Sequence, residues 1–248
     1  MLSFIKKKII NLIIKKMVDK PLIRSINHPK LRDINKVTEN SIRNFGDKNP
    51  DKKFYVIRIN FGGGIFSILL YVLHQIKIAE SINAIPVIDM ENYPTIYNCK
   101  KKVNKTYNAW LYYFKPVSKF SLNEVYQSKN VVLCDNRTSV SKYLNDISSL
   151  TSEHFRIFKK YIFIKREILT EVQKFQRKYF LNKRILGVHC RGSDQKKTGY
   201  QPHPATEKQM LNATNVLMRK YKFDKIYICT EDVDYLKIYK KNFGDKLI

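Results

Sequence analysis

The sequence predicts an α/β protein made of two units of parallel strands, the second of them incomplete. Two strand–loop–helix–strand successions predict it, one over Phe54 to Asp89 and one over Ile185 to Cys229. In each, the first strand runs into a loop rich in glycine or bearing an arginine, at the strand end where open α/β sheets hold ligands.

Residues 1–50 read as a basic leader. MLSFIKKKIINLIIKKMV sets Phe4, Ile5, Ile9, Ile10, Leu12, Ile13 and Ile14 against Lys6, Lys7, Lys8, Lys15 and Lys16. As a helix it is amphipathic and cationic, suited to an anionic bilayer face, and an ordinary surface helix has the same pattern. It lacks the small-residue cleavage site of a signal peptide. The chain has no run of about 18 apolar residues that would cross a membrane. Asn44-Phe45-Gly46-Asp47 and Asn49-Pro50 are turn signals that close the leader.

Residues 51–150 form the first α/β unit. FYVIRI, Phe54 to Ile59, is a β-branched and aromatic run expected to be a buried strand. Asn60-Phe61-Gly62-Gly63-Gly64 follows, then a helix from Ile65 to about Ile82 whose apolar positions Phe66, Leu69, Leu70, Leu73 and Ile76 recur every three or four residues. Ile85–Asp89 and Asn130–Cys134 are further strands, with a short helix around Leu122 to Gln127 between them. Residues 151–182 read as one long bridging helical stretch. Residues 183–248 begin a second unit: strand Ile185–His189, a loop to Pro204, a helix to Tyr221, strand Lys225–Cys229, and a helix opened by Thr230-Glu231-Asp232.

Hydrophobic residues make up 44% of the chain, which excludes an intrinsically disordered class. With 47 Lys+Arg against 21 Asp+Glu the net charge is +26. That balance fits a polyanionic neighbour, but the lysines are dispersed, and the richness in Ile, Asn, Tyr and Phe fits an AT-rich coding bias equally well. No nucleic-acid-binding module is recognisable. Cys99, Cys134, Cys190 and Cys229 form no CxxC pair and are expected to be buried free thiols in a reducing, cytoplasmic setting.

The segment Gly187-Val188-His189-Cys190-Arg191-Gly192-Ser193-Asp194 carries the most chemistry. At a strand's carboxyl end an arginine presents a planar fork to a diphosphate. Gly192 lets backbone amides approach an anion, His189 suits a nucleobase or phosphate, and Asp194 fixes Arg191 or caps the loop. A purely structural Arg–Asp pair uses the same residues. Asn60 to Gly64 is either a phosphate-binding turn or a tight strand-to-helix turn; it has neither GxGxxG nor GK[ST] spacing. Trp110, in NAWLYYF, suits a sugar face or, more in keeping with aromatic burial, the core.

GVHCRGSD resembles the HxRxxD donor motif of the fucosyltransferase superfamily, which includes α1,2-, α1,6- and protein O-fucosyltransferases. His203-Pro204 resembles a His-Pro past the same loop in α1,6 members. KIYICTEDVDYL resembles the strand and acidic turn that follow, so Thr230, Glu231 and Asp232 align with it. FGGGIFSILLYVLHQIKIAESINAIPVIDM and NAWLYYFKPVS resemble the glycine loop and aromatic segment of bacterial members, which extends the likeness over about residues 54–248. The resemblance implies a GT-B-like architecture of two Rossmann-like domains, with GDP-fucose on the C-terminal one and a glycan acceptor on the other side. It implies inverting transfer with no metal and no cofactor, in which Arg191 neutralises the β-phosphate of the leaving GDP. His189, Gly192, Ser193, His203, Thr230, Glu231 and Asp232 are then donor-binding, with Asp194 beside Arg191 in catalysis. Asn60 to Gly64 and Trp110 fall on the acceptor side.

Three departures accompany the likeness. Gly192 stands where many members carry a second arginine. Gly199 stands where α1,6 enzymes carry a proposed base, so Asp194, Glu231 and His203 all stay open for that role. The sequence also stops at Lys246-Leu247-Ile248, within what reads as the next strand, so the donor domain is expected to be truncated. The alternatives are an inactive, truncated relative acting as a membrane-associated partner, and a nucleic-acid-binding protein.

Overall fold

The computed structural model describes residues 42–59, 63–134, 152–191 and 205–248. The chain divides into two compact units between Lys165 and Arg166. The expected amphipathic leader helix and its membrane contact lie outside the described residues.

Unit 1 is a four-stranded sheet in the order β1-β4-β2-β3, from β1 (Ile42–Arg43), β2 (Lys48–Arg58), β3 (Ile85–Asp89) and β4 (Ser128–Leu133). β2 runs parallel to both neighbours, with Phe54 opposite Ile85 and Val131, while β1 is antiparallel to β4. The sheet thus includes Ile42 and Arg43, inside the segment read as leader, because main-chain pairing needs no apolar run in a short strand.

β2 reads as a continuous apolar run because both its faces are covered. Tyr55, Ile57 and Ile59 pack on one face with the helix α1 (Ile65–Ser81) and Trp110, while Phe54 and Val56 pack on the other with Val87, Val125, Val131 and Leu133. α1 buries Leu69, Leu73 and Ile76 as expected, together with Ile68 and Val72, whereas Phe66, also expected on the apolar face, is 77% exposed and Leu70 is half-buried. It ends in a Schellman motif: Asn83 takes φ 53, Asn83 N–H donates to Glu80 C=O at 3.0 Å, and Ala84 N–H donates to Ala79 C=O at 2.8 Å.

Between β3 and β4 come the short helices α2 (Trp110–Tyr113) and α3 (Leu122–Val125). Asn108 lies against the outer edge of β3, donating to Ile88 C=O at 2.7 Å and accepting from Met90 N–H at 3.4 Å, so its amide serves that edge as another strand would.

Residues 151–182 are not one helix. α4 (Ser152–Tyr161) and α5 (Arg166–Tyr179) are separated by an extended stretch. There Ile164 bridges Phe114, Lys115 N–H donates to Phe163 C=O at 2.8 Å, and Lys165 N–H donates to Tyr113 C=O at 3.0 Å. The aromatic and β-branched Phe163-Ile164 pair is drawn into β pairing, a tertiary effect that outweighs local helix propensity.

Unit 2 has β5 (Ile185–Cys190) parallel to β6 (Lys225–Thr230), with Ile185 opposite Lys225 and Cys190 opposite Thr230. The unit also holds α5, whose Phe175 meets Tyr227 with ring centroids 5.7 Å apart, and the helices α6 (Glu207–Tyr221) and α7 (Val233–Phe243). Leu186, Val188, Cys190 and Ile226 pack with Tyr235 and Tyr239 of α7. A capping box of Thr206 and Gln209 starts α6. Leu247 bridges Ile226 in parallel, as the expected further strand would begin.

Candidate functional site

The register of unit 2 brings two strand ends together. Since Cys190 pairs with Thr230, Arg191 and Glu231 each stand one residue past the carboxyl end of adjacent parallel strands, which run about 4.8 Å apart. Arg191 is exposed. Behind it the Cys190 thiol is buried and its pKa raised, chiefly by burial. α7 starts beside the same edge, and its first-turn amides lend partial positive charge there.

Local structure engages several of the motif residues. Asp232 caps α7, accepting from Asp234 N–H at 2.9 Å, and its own N–H donates to Thr230 Oγ1 at 3.0 Å. These bonds hold Glu231 at the crest of the turn. His189 lies on the opposite sheet face from Leu186, Val188 and Cys190, exposed and in register with Cys229. Cys229 is itself exposed, which corrects the expectation that the strand cysteines are buried: it lies on the face of β6 opposite Ile226, where Phe175 and Phe180 meet Tyr227 but leave the end of the strand open. Among the motif residues, Gly192, Ser193, Asp194 and His203 lie outside the described residues.

In unit 1, Asn60, Phe61 and Gly62 also lie outside the described residues. Gly64 is the N-cap of α1 at φ −62, and a Cβ there meets nothing within 4 Å. Gly63, before it, is half-buried. Trp110 is 1% exposed, its Nε1 donates to Lys115 C=O at 3.1 Å, and its ring stacks on Phe114 with centroids 4.3 Å apart. It is a core residue whose edge forms part of the wall of a cavity of about 830 Å³ beside β3, together with Val87, Glu91, Phe120 and Tyr126.

Sequence reasoning missed a polar cluster at the carboxyl ends of β2, β3 and β4. Arg58 is buried there; its backbone N–H donates to Cys134 Sγ at 3.0 Å and its Nε to Cys134 C=O at 3.0 Å. Asp89 is fully buried and accepts from Tyr126 Oη at 2.6 Å, Asn92 Nδ2 at 2.9 Å, and the backbone N–H groups of Glu91 at 3.0 Å and Asn92 at 2.9 Å. Burial pushes the Asp89 pKa up against those bonds, and it pushes Tyr126 well above its ordinary value. The signal was present: a charged residue closing an otherwise apolar strand run is a buried charge in need of partners.

No protein-family model matches the chain, and no curated protein matches it. Among solved structures it is similar to the fucosyltransferase NodZ from Bradyrhizobium, at 15% identity over 79% of this chain and 77% of that one, with a TM-score of 0.47. It is also similar to NodZ α-1,6-fucosyltransferase soaked with GDP-fucose, at 14% identity, the same coverage and a TM-score of 0.47. A third is the same enzyme co-crystallised with GDP, at 14% identity and a TM-score of 0.44. These likenesses assign no residue a role.

Proposed function

We propose that this chain is a glycosyltransferase that moves fucose, or a similar sugar, from a GDP-sugar to a glycan acceptor. The observation that carries the reading is the position of Arg191, exposed one residue beyond β5 and beside the matching end of β6, within a motif that resembles the fucosyltransferase donor site. A guanidinium there pairs bidentately with a diphosphate. As the sugar–oxygen bond breaks, negative charge grows on the β-phosphate, and a cation whose attraction strengthens with that charge lowers the barrier. Supplying the charge from Arg191 makes the reaction independent of a metal. Attack by an acceptor hydroxyl from the face opposite the leaving GDP inverts the anomeric centre, and the hydroxyl proton passes to a base, for which Asp194, Glu231 and His203 are the candidates. The two units would then act as the donor and acceptor halves of a GT-B-like enzyme. No helix among the described residues is long and apolar enough to cross a membrane.

A thermal-shift titration with GDP, UDP and ADP tests the reading. GDP alone is expected to raise the melting temperature, and Arg191→Ala to abolish the rise, because only ligands of the native state stabilise it. A folded protein that responds to no nucleotide, or whose GDP response survives Arg191→Ala, overturns it.

A further inference from the structure

In the polar cluster of unit 1, Arg58 forms no ion pair among the described residues, although Asp89 stands opposite it in the β2–β3 register. Arg58 is 2% exposed, and both its Nε and its Nη2 donate to one acceptor, the Cys134 carbonyl. Its third nitrogen, Nη1, is buried and has no hydrogen-bond partner among the described residues. The hydroxyl of Tyr93 is likewise buried and makes no well-formed hydrogen bond among the described residues; it interacts electrostatically with the Arg58 guanidinium, and the Tyr93 ring centroid lies 5.1 Å from Arg58 Cζ. Asp89, the carboxylate on the neighbouring strand, is occupied by Tyr126, Asn92 and two backbone amides. None of the ion pairs among the described residues includes Arg58.

Burying a guanidinium without an anion is costly, and each unmade hydrogen bond adds to that cost. A role in packing alone accounts for the stacking on Tyr93 but not for two adjacent unmet groups on a buried cation. Both are met by one oxyanion, which accepts from Nη1 and from the phenol and neutralises the charge. Topology favours the same place. β2 leads through α1 to β3 on one side, while β4 lies on the other, so the carboxyl ends of β2 and β4 flank a point where the strand order reverses. Such points are where open parallel sheets bind ligands.

We propose that Arg58 and Tyr93 form an oxyanion site for a phosphate or carboxylate, and that the acceptor is therefore an acidic glycan. The oxyanion site stands on unit 1 alone; its assignment to the acceptor rests on the transferase reading.

The test is calorimetric titration of the full chain with inorganic phosphate, D-glucuronate and glucose, at ionic strength held constant with sodium chloride. Phosphate or glucuronate is expected to bind and glucose not to, and whichever anion binds more tightly identifies the source. Tyr93→Phe loses one charge-assisted bond and is expected to weaken binding about tenfold. Arg58→Lys replaces the fork with a point charge and is expected to abolish binding; if that variant does not fold, Tyr93→Phe decides. Anion binding of equal strength in the parent and Tyr93→Phe, as diffuse attraction to a chain of net charge +26 would give, overturns the proposal, as does no binding at all. Failure of GDP to bind while the anion site passes defeats the transferase reading and not this site.

Discussion

Tyr126 and Asp89 show how one hydroxyl makes a buried carboxylate tolerable. Asp89 is fully buried, and the Tyr126 bond at 2.6 Å is the shortest of those that favour its charged form. Tyr126→Phe is expected to cost about 1.5–3 kcal/mol, the range for a bond to a charged group. Burial has raised the Asp89 pKa above its ordinary 3.8, so the folded protein holds this proton more tightly than the unfolded chain. The Asp89 contribution to stability is therefore greatest in acid and declines as pH rises, and the Tyr126→Phe penalty should be larger at about pH 8 than at about pH 4. Urea midpoints at the two pH values check this, and equal penalties would show that the bond does not favour the charged form. Glu80 behaves in the opposite sense. Its carboxylate accepts from Arg156, from Lys160 at 2.8 Å and from Tyr161 at 2.9 Å, and the Arg156 bond chiefly holds its pKa down to about 2, against an ordinary 4.5. The stabilisation it gives is complete above about 4.5 and is lost as pH falls towards 2. Glu80→Gln should lower the melting temperature modestly at pH 7, since these partners are largely exposed, and the difference should shrink below pH 4.5.

The elements that could be read from the sequence are those whose pattern is their own. FYVIRI is buried on both faces, and α1 carries its apolar positions at helical spacing, so each strand and helix near them followed from side chains alone. The extended break at 162–165 and the edge strand β1 are set by pairing with distant segments, which leaves no local signature. The site divides in the same way. Arg191 was legible because its motif is contiguous, whereas Arg58, Asp89, Tyr93 and Tyr126 come from three separate stretches joined by parallel pairing. Gly46 has a similar hidden demand. The turn between β1 and β2 presses against Gln127, with Lys48 N–H donating to Gln127 C=O at 2.9 Å, and a Cβ on Gly46 would lie 2.6 Å from that oxygen. Gly46→Ala is expected to cost about 1–3 kcal/mol through overpacking against backbone that cannot yield. A urea midpoint unchanged from the parent would show that the turn relaxes.

For the whole molecule the dominant physical fact is charge. A net +26 on 248 residues repels itself in the compact state, and its attractive pairs, such as Lys77 with Glu153 at 3.2 Å, are exposed and few against that excess. Added salt screens both, but the repulsion is summed over many long separations, and these exceed the screening length of about 8 Å at physiological ionic strength. The net effect of salt should therefore be stabilising: the melting temperature is expected to rise between about 10 mM and about 150 mM sodium chloride, whereas attraction-dominated surfaces give a fall. The identity of the anion then separates the general effect from the local one. At equal ionic strength, screening alone makes phosphate and chloride equivalent. The unmet groups on Arg58 and Tyr93 predict an additional rise with phosphate that saturates, and Tyr93→Phe should reduce that increment while leaving the response to chloride intact. A phosphate response that grows without saturation and is the same in both proteins would assign the whole effect to the surface.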